Sequence, residues 1–342
     1  MIRLIITYVI AGIGVALFHA LSLPLPWLLG PIFACLFAAL AGRPLKGNKL
    51  INDAMRSVLG VAVGATFTTA LLVSMVAMWP TLLMIPVMVA CIGVIGVPYF
   101  QRIWGFDFAT SYYSAMPGGL QDMLAFGEEA GGDVRALSLI HATRVMVIVV
   151  ALPFILQGYW DVDLSNPPGA PAASIALSQL LLMVFCGIVG WQLAKAVGMF
   201  GASILGPLIL AAIMALSGVL QHRPPAEAIW MAQFFIGMTV GTKYVGVTMY
   251  EVRKDVAAAL GFCLILIVLT FIFAEVIHLA DLALPMETLL AFAPGGQAEM
   301  TVLALIVGAD MAFVIAHHVL RIFVVILGAP IAARLWGAKL QS

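Results

Sequence analysis

The chain is 342 residues long, 63% hydrophobic and 9% charged, with a formal net charge of zero. A soluble globular domain carries about 25% charged residues, and the mean hydropathy here is +1.13. These values exclude an ordinary soluble enzyme and a nucleic-acid module with a basic face; they describe an all-α polytopic membrane protein.

The first apolar segment covers residues 3–20. Arg3, the apolar run and Pro24 imitate a signal peptide, but no small-x-small cleavage site follows. A retained first helix is therefore expected. Further helices are expected near 26–41, 56–79, 81–100 and 134–157, with a segment at 104–128 that holds Pro117-Gly118-Gly119. The second half repeats the series near 174–195, 201–218, 226–248, 256–279 and 310–334, with Pro294-Gly295-Gly296 inside 286–307.

The two halves are copies. Pro117-Gly118-Gly119 returns as Pro294-Gly295-Gly296, 177 positions later. At the same offset Asp122 becomes Glu299, Asp133 becomes Asp310, and His141/Arg144 become His318/Arg321. Gly60-x-x-x-Gly64 returns as Gly237-x-x-x-Gly241, and Leu29-Gly30-Pro31 as Leu205-Gly206-Pro207. Duplication on this scale sets the architecture: repeat 1 at residues 1–165 and repeat 2 at 166–342, together one membrane domain.

Charge sets the orientation, because cytoplasmic loops collect Lys and Arg. Arg43, Lys46, Lys49 and Arg56 crowd the loop after the second span. The connector 158–172 carries Asp161 and Asp163 and no Lys or Arg, so it reads as external. An odd number of crossings joins the two. Five helices plus one non-crossing, interrupted segment per repeat satisfy this, and the repeats then have inverted topology. Lys195, Arg253, Lys254, Arg334 and Lys339 fall inside, with Arg223 the exception. Both termini are expected in the cytoplasm of a bacterial inner-membrane protein. In transporters with inverted repeats, the site lies near the midplane at the interrupted helices. Proline blocks the helix behind it, and paired glycines allow backbone shapes closed to other residues.

The polar residues at membrane depth are the candidate solute and ion ligands. Asp122 and Glu299 follow the turns by three residues, where a carboxylate either answers the free N–H groups of a helix start or binds a cation or proton. Gln121 and Gln297 stand beside them. His141/Arg144 and His318/Arg321 share one helix face each. Structurally, each Arg would neutralise the neighbouring carboxylate or cap carbonyls; functionally, it would grip an anion while His carries a proton. Asp133 and Asp310 read as helix N-caps. Tyr112, Tyr113 and Ser114 correspond to Leu289, Leu290 and Ala291 in the other copy, so any pocket is asymmetric. Lys243 reads as a snorkelling side chain, and the Gly-xxx-Gly pairs as helix contacts. The four cysteines lie in apolar runs without a Cys-x-x-Cys pair, so neither a metal site nor a cofactor is expected.

The doubled PGG-x-x-[DE]-M segment, the paired Leu-Gly-Pro and the His-x-x-Arg pairs resemble the AbrB duplication family of bacterial membrane proteins, over essentially the whole chain. Members carry labels such as ammonia monooxygenase or regulator of gene expression. The family is distinct from the small soluble DNA-binding protein of the same name, and at fold level it is similar to the cation–proton antiporter and anion symporter superfamily. The resemblance implies a transporter of a small solute coupled to protons or sodium, in contact with lipids and not nucleic acid, with a homodimer as one assembly. The alternative is a membrane-embedded sensor or regulator. The six histidines form no readable metal cluster, which argues against an oxygenase and for a protein that is not an enzyme.

Overall fold

The structure, a computed structural model, describes residues 2–69, 77–162, 164, 167–199 and 201–341; Asp163 lies outside them. The described residues are helical and contain no strand. The helices are α1 (Ile2–Ala20), α2 (Pro26–Leu40), α3 (Lys49–Gly64), α4 (Trp79–Pro98), α5 (Phe108–Ala115), α6 (Leu120–Glu129) and α7 (Val134–Trp160). They continue as α8 (Leu177–Ala196), α9 (Ala202–Leu216), α10 (Ala226–Thr242), α11 (Ala257–Leu279), α12 (Pro285–Phe292), α13 (Gln297–Val307) and α14 (Met311–Gln341). One-turn π-helices at Tyr99–Ile103 and Val252–Val256 extend α4 and precede α11.

Among the described residues, six helical stretches are long and apolar enough to cross a membrane: Arg3–Ala20, Trp79–Ile103, Val134–Trp160, Leu177–Ala196, Met249–Leu279 and Met311–Ala333. Their outward residues, such as Ile5, Val9, Ile13 and Leu17 on α1, are exposed at four-residue spacing. Stripes of this kind belong in hydrocarbon. The second helix of each repeat keeps within one or two residues of its expected bounds and is short. At 15 residues, α2 and α9 span about 22 Å each, against a hydrocarbon core of about 30 Å.

Two boundaries differ from the sequence expectation for a local reason. Helix α3 begins at Lys49 and not at residue 56, because the Asn48 side chain accepts from the Leu50 and Ile51 amides and caps it. It stops at Gly64, and Thr66 turns its hydroxyl onto the Val63 carbonyl. Residues 70–76 of the expected 56–79 helix are not described.

The chain forms two compact units that draw on both repeats. Unit one comprises Met1–Val76, Leu152–Gly246 and Gln297–Ala312; unit two comprises Ala77–Ala151, Val247–Gly296 and Phe313–Ser342. In unit one, α1 packs on α2 and α8 on α9, with Gly14 against Gly30 and Gly190 against Gly206. The next layer is exchanged between repeats: α3 packs on α9, and α10 on α2. Gly60 and Gly64 meet the carbonyls of Ile204 and Leu208, while Gly237 and Gly241 meet those of Leu28 and Ile32. The glycines permit backbone contact where any Cβ would collide. The expected small-xxx-small packing is thus present, and it is reciprocal. Gly237→Leu should cost at least about 1–3 kcal/mol of overpacking, read as a lowered midpoint of thermal unfolding in detergent. Gly12→Ala, with open space around its Cβ position, should leave it unchanged.

In unit two, α4 meets α11 along an aromatic seam. Phe100 lies 4.8 Å from Phe262 between ring centroids, and the Tyr99 hydroxyl donates to the Ala258 carbonyl at 2.9 Å. Phe292 of α12 stacks on Phe273 of α11 and tilts against His317 of α14.

Candidate functional site

Each Pro-Gly-Gly segment is a helix broken in two. Helix α5 ends at Ala115 and α6 begins at Leu120; α12 ends at Phe292 and α13 begins at Gln297. The residue before each proline is extended, Met116 at ψ 127° and Ala293 at ψ 125°, as the proline ring requires. The glycines do not work by backbone freedom. None of Gly118, Gly119, Gly295 and Gly296 has positive φ. Gly118 is needed for space: a Cβ there would lie 2.8 Å from Met123 Cε and 2.9 Å from Val325 Cγ1.

The histidines and arginines repair what the prolines break. In a helix, the amide of residue 117 would donate to the carbonyl of Tyr113, and that of residue 294 to Leu290. Proline has no N–H. His141 Nε2 bonds the Tyr113 carbonyl at 2.9 Å, and His318 Nε2 bonds the Leu290 carbonyl at 3.0 Å. Arg144 then donates from Nη1 to the Met116 carbonyl at 3.0 Å and from Nη2 to the Gly118 carbonyl at 3.1 Å. Arg321 repeats this on Ala293 at 2.8 Å and Gly295 at 3.2 Å. All four side chains are buried. Of the two structural roles expected for Arg, capping carbonyls is the one observed; among the described residues neither Arg pairs with a carboxylate. His318→Ala would leave the Leu290 carbonyl buried and unpaired, at a cost of about 1–3 kcal/mol. A thermal unfolding midpoint equal to that of the unmutated protein would sink this assignment.

The carboxylates occupy helix starts. Asp122 is half-buried in the first turn of α6, in unit two, and Glu299 is buried in the first turn of α13, in unit one. The Gln121 side chain lies outside the described ones. Helix α13 packs on α3 and α10. Thr301 of α13 returns its hydroxyl to the Gln297 carbonyl at 2.8 Å. Lys243, exposed at the C-terminal cap of α10, is attracted by the Glu299 carboxylate. Asp133 and Asp310 cap their helices as expected: Asp133 Oδ1 accepts from the amides of Arg135 and Ala136, and Asp310 Oδ1 from Ala312.

Several polar groups escaped the sequence reading. Asn52 and Gln233 are buried in unit one, and side-chain atoms of Asn52, Arg56 and Gln233, like those of the expected candidate Gln297, are enclosed without a hydrogen-bond partner. Arg56 and Gln233 occupy the same position of the two repeats, a signal the duplication could have supplied. In unit two, buried His317 bonds the Phe313 carbonyl through Nδ1 and the Thr81 hydroxyl through Nε2 at 2.9 Å. Among the described residues no three His, Cys, Asp or Glu side chains gather as a metal site.

Comparison with known proteins gives the following. The family described as "Transition state regulatory protein AbrB" matches residues 27–337. A protein of Bacillus subtilis (strain 168) named "Uncharacterized protein YhjN" is 29% identical over 247 residues, 67% of this chain and 64% of that protein's length. A protein of Escherichia coli (strain K12) named "Putative regulator AbrB" is 25% identical over 331 residues, 93% of this chain and 91% of its own.

Proposed function

This chain belongs to the AbrB family, and from that premise we propose that it is a secondary-transporter-like membrane protein. It carries a small solute, coupled to protons or sodium, past its two Pro-Gly-Gly turns. The observation that carries this reading is the pair of broken helices, each clamped by a buried His/Arg pair and each followed by a carboxylate. Broken backbone and carboxylates at membrane depth mark solute and ion paths in transporters.

Inverted repeats are part of the reading. The exchanged contacts of unit one, Gly60 on Ile204 and Gly237 on Leu28, are reciprocal, as an approximate two-fold axis demands. The Lys and Arg distribution favours laying that axis in the membrane plane. The turns then act as re-entrant elements, and ten crossings place both termini in the cytoplasm of an inner membrane. Lys46 and Ala170 are both exposed. On a cysteine-free background, an impermeant thiol reagent should modify Ala170→Cys from outside and spare Lys46→Cys. Equal labelling of both removes the inverted arrangement.

The decisive experiment is uptake by proteoliposomes over a panel of small organic anions, with imposed proton or sodium gradients. Gradient-driven uptake of one solute supports the proposal; none across the panel refutes it. The second reading, a membrane-embedded sensor or regulator, takes its support from the name of the Escherichia coli relative. It expects ligand binding without flux, and a change in transcript levels on deletion.

A further inference from the structure

The two clamps differ in one hydrogen bond, and the difference leaves one arginine with more to offer. A guanidinium has five N–H donors and no acceptor. Arg321 commits three of them: Nη1 to the Ala293 carbonyl, and Nη2 to both the Gly295 carbonyl and His318 Nδ1, the last at 2.9 Å. Because Arg321 can only donate, His318 Nδ1 is an acceptor, and His318 carries its proton on Nε2 toward Leu290. Both hydrogens of Arg321 Nη2 are spent. Arg144 commits two donors, one from each terminal nitrogen, to the carbonyls of Met116 and Gly118. The Nε of each arginine is buried without a hydrogen-bond partner, but only on Arg144 does a hydrogen on Nη2 remain to act together with it.

Charge points the same way. Arg144 and Arg321 are each 3% exposed. Gly118, whose carbonyl Arg144 holds, approaches Val325, about one helical turn beyond Arg321 on α14. Two like charges therefore flank the first turn, and among the described residues neither has a carboxylate partner. Carbonyls satisfy hydrogen bonds but carry no net charge. A buried cation without an anion is costly, and an anion arriving from solution would offset that cost.

We infer that Arg144 anchors a small-oxyanion site beside the Pro117–Gly119 turn. It takes two oxygens of a carboxylate or phosphate on Nε and Nη2, while Arg321 serves as its structural counterpart. The inference deepens the transport reading by naming the solute's chemical class, and its purpose rests on that reading.

Its test does not require flux. The full chain, purified in detergent, is titrated calorimetrically with succinate, phosphate and sulfate in separate arms at fixed ionic strength. Saturable binding in at least one arm is expected; the arm that responds separates a carboxylate from a tetrahedral ligand. No saturable binding in any arm overturns the inference without recourse to a variant. Arg144→Lys, which cannot present two donors on one edge, should weaken binding at least about tenfold. Arg321→Lys should change it less than about threefold. Equal weakening by both overturns the assignment to Arg144. If Arg144→Lys fails to fold, Arg144→Gln replaces it with the same expected loss. Binding without uptake in proteoliposomes would leave this site standing while refuting the transporter.

Discussion

Arg321→Ala is expected to lower stability by about 3–6 kcal/mol. The figure comes from two buried hydrogen bonds to a charged donor, each contributing about 1.5–3 kcal/mol, on the carbonyls of Ala293 and Gly295. Relief from burying the charge pulls the result toward the lower value. Of the two roles the sequence suggested, the loss concerns the second: it strands backbone carbonyls, not a carboxylate. Thermal unfolding in detergent reads it, with Arg135→Ala as the comparison. Arg135 is exposed and pairs with Glu251, and a surface pair contributes at most about 1 kcal/mol. If the two variants unfolded alike, the clamp would have no structural weight.

Asp122→Asn and Glu299→Gln together should reduce gradient-driven flux to that of empty liposomes, with the protein still folded. Each replacement keeps size and much of the hydrogen bonding. A carboxylate that only answers a helix dipole contributes about 0.3–1 kcal/mol, so a purely structural role predicts near-normal transport. Glu299 is buried on α13, a helix that packs on α3 and α10. Its neutralisation removes the negative charge that a coupling cation or proton would meet. Unchanged flux with unchanged ion dependence would refute the coupling role.

The doubled sequence made the broken helices and the helix caps at Asp133 and Asp310 legible. Proline at positions 117 and 294 predicted each interruption because the missing N–H acts locally. The repair did not show. His141 and Arg144 lie 28 residues from the carbonyls of Tyr113 and Met116 that they bond. Spacing shows that the two share a helix face, not what that face meets. The glycines were legible as needed but for another reason: Gly118 yields room to Met123 and Val325, a tertiary fact. The start of α3 was hidden because Asn48 sits in a polar loop whose capping bond has no hydrophobic period. The units were hidden too, because compactness follows the exchanged contacts of α2 with α10 and of α3 with α9, and each of those crosses the repeat boundary.

Those exchanged contacts bear on how the protein is made. The ridge of α2 at Leu28 and Ile32 fits the glycines of α10 at Gly237 and Gly241, which the ribosome supplies some two hundred residues later. At about 5–20 residues per second, the first half waits about 10–40 s for its complement. During that interval α2, only 15 residues long, has its partner surface open to lipid or to an insertion factor. Truncation before α10 is therefore expected to leave a chain that inserts and is then degraded, with pulse-chase decay as the readout, while co-expression of the missing half restores it.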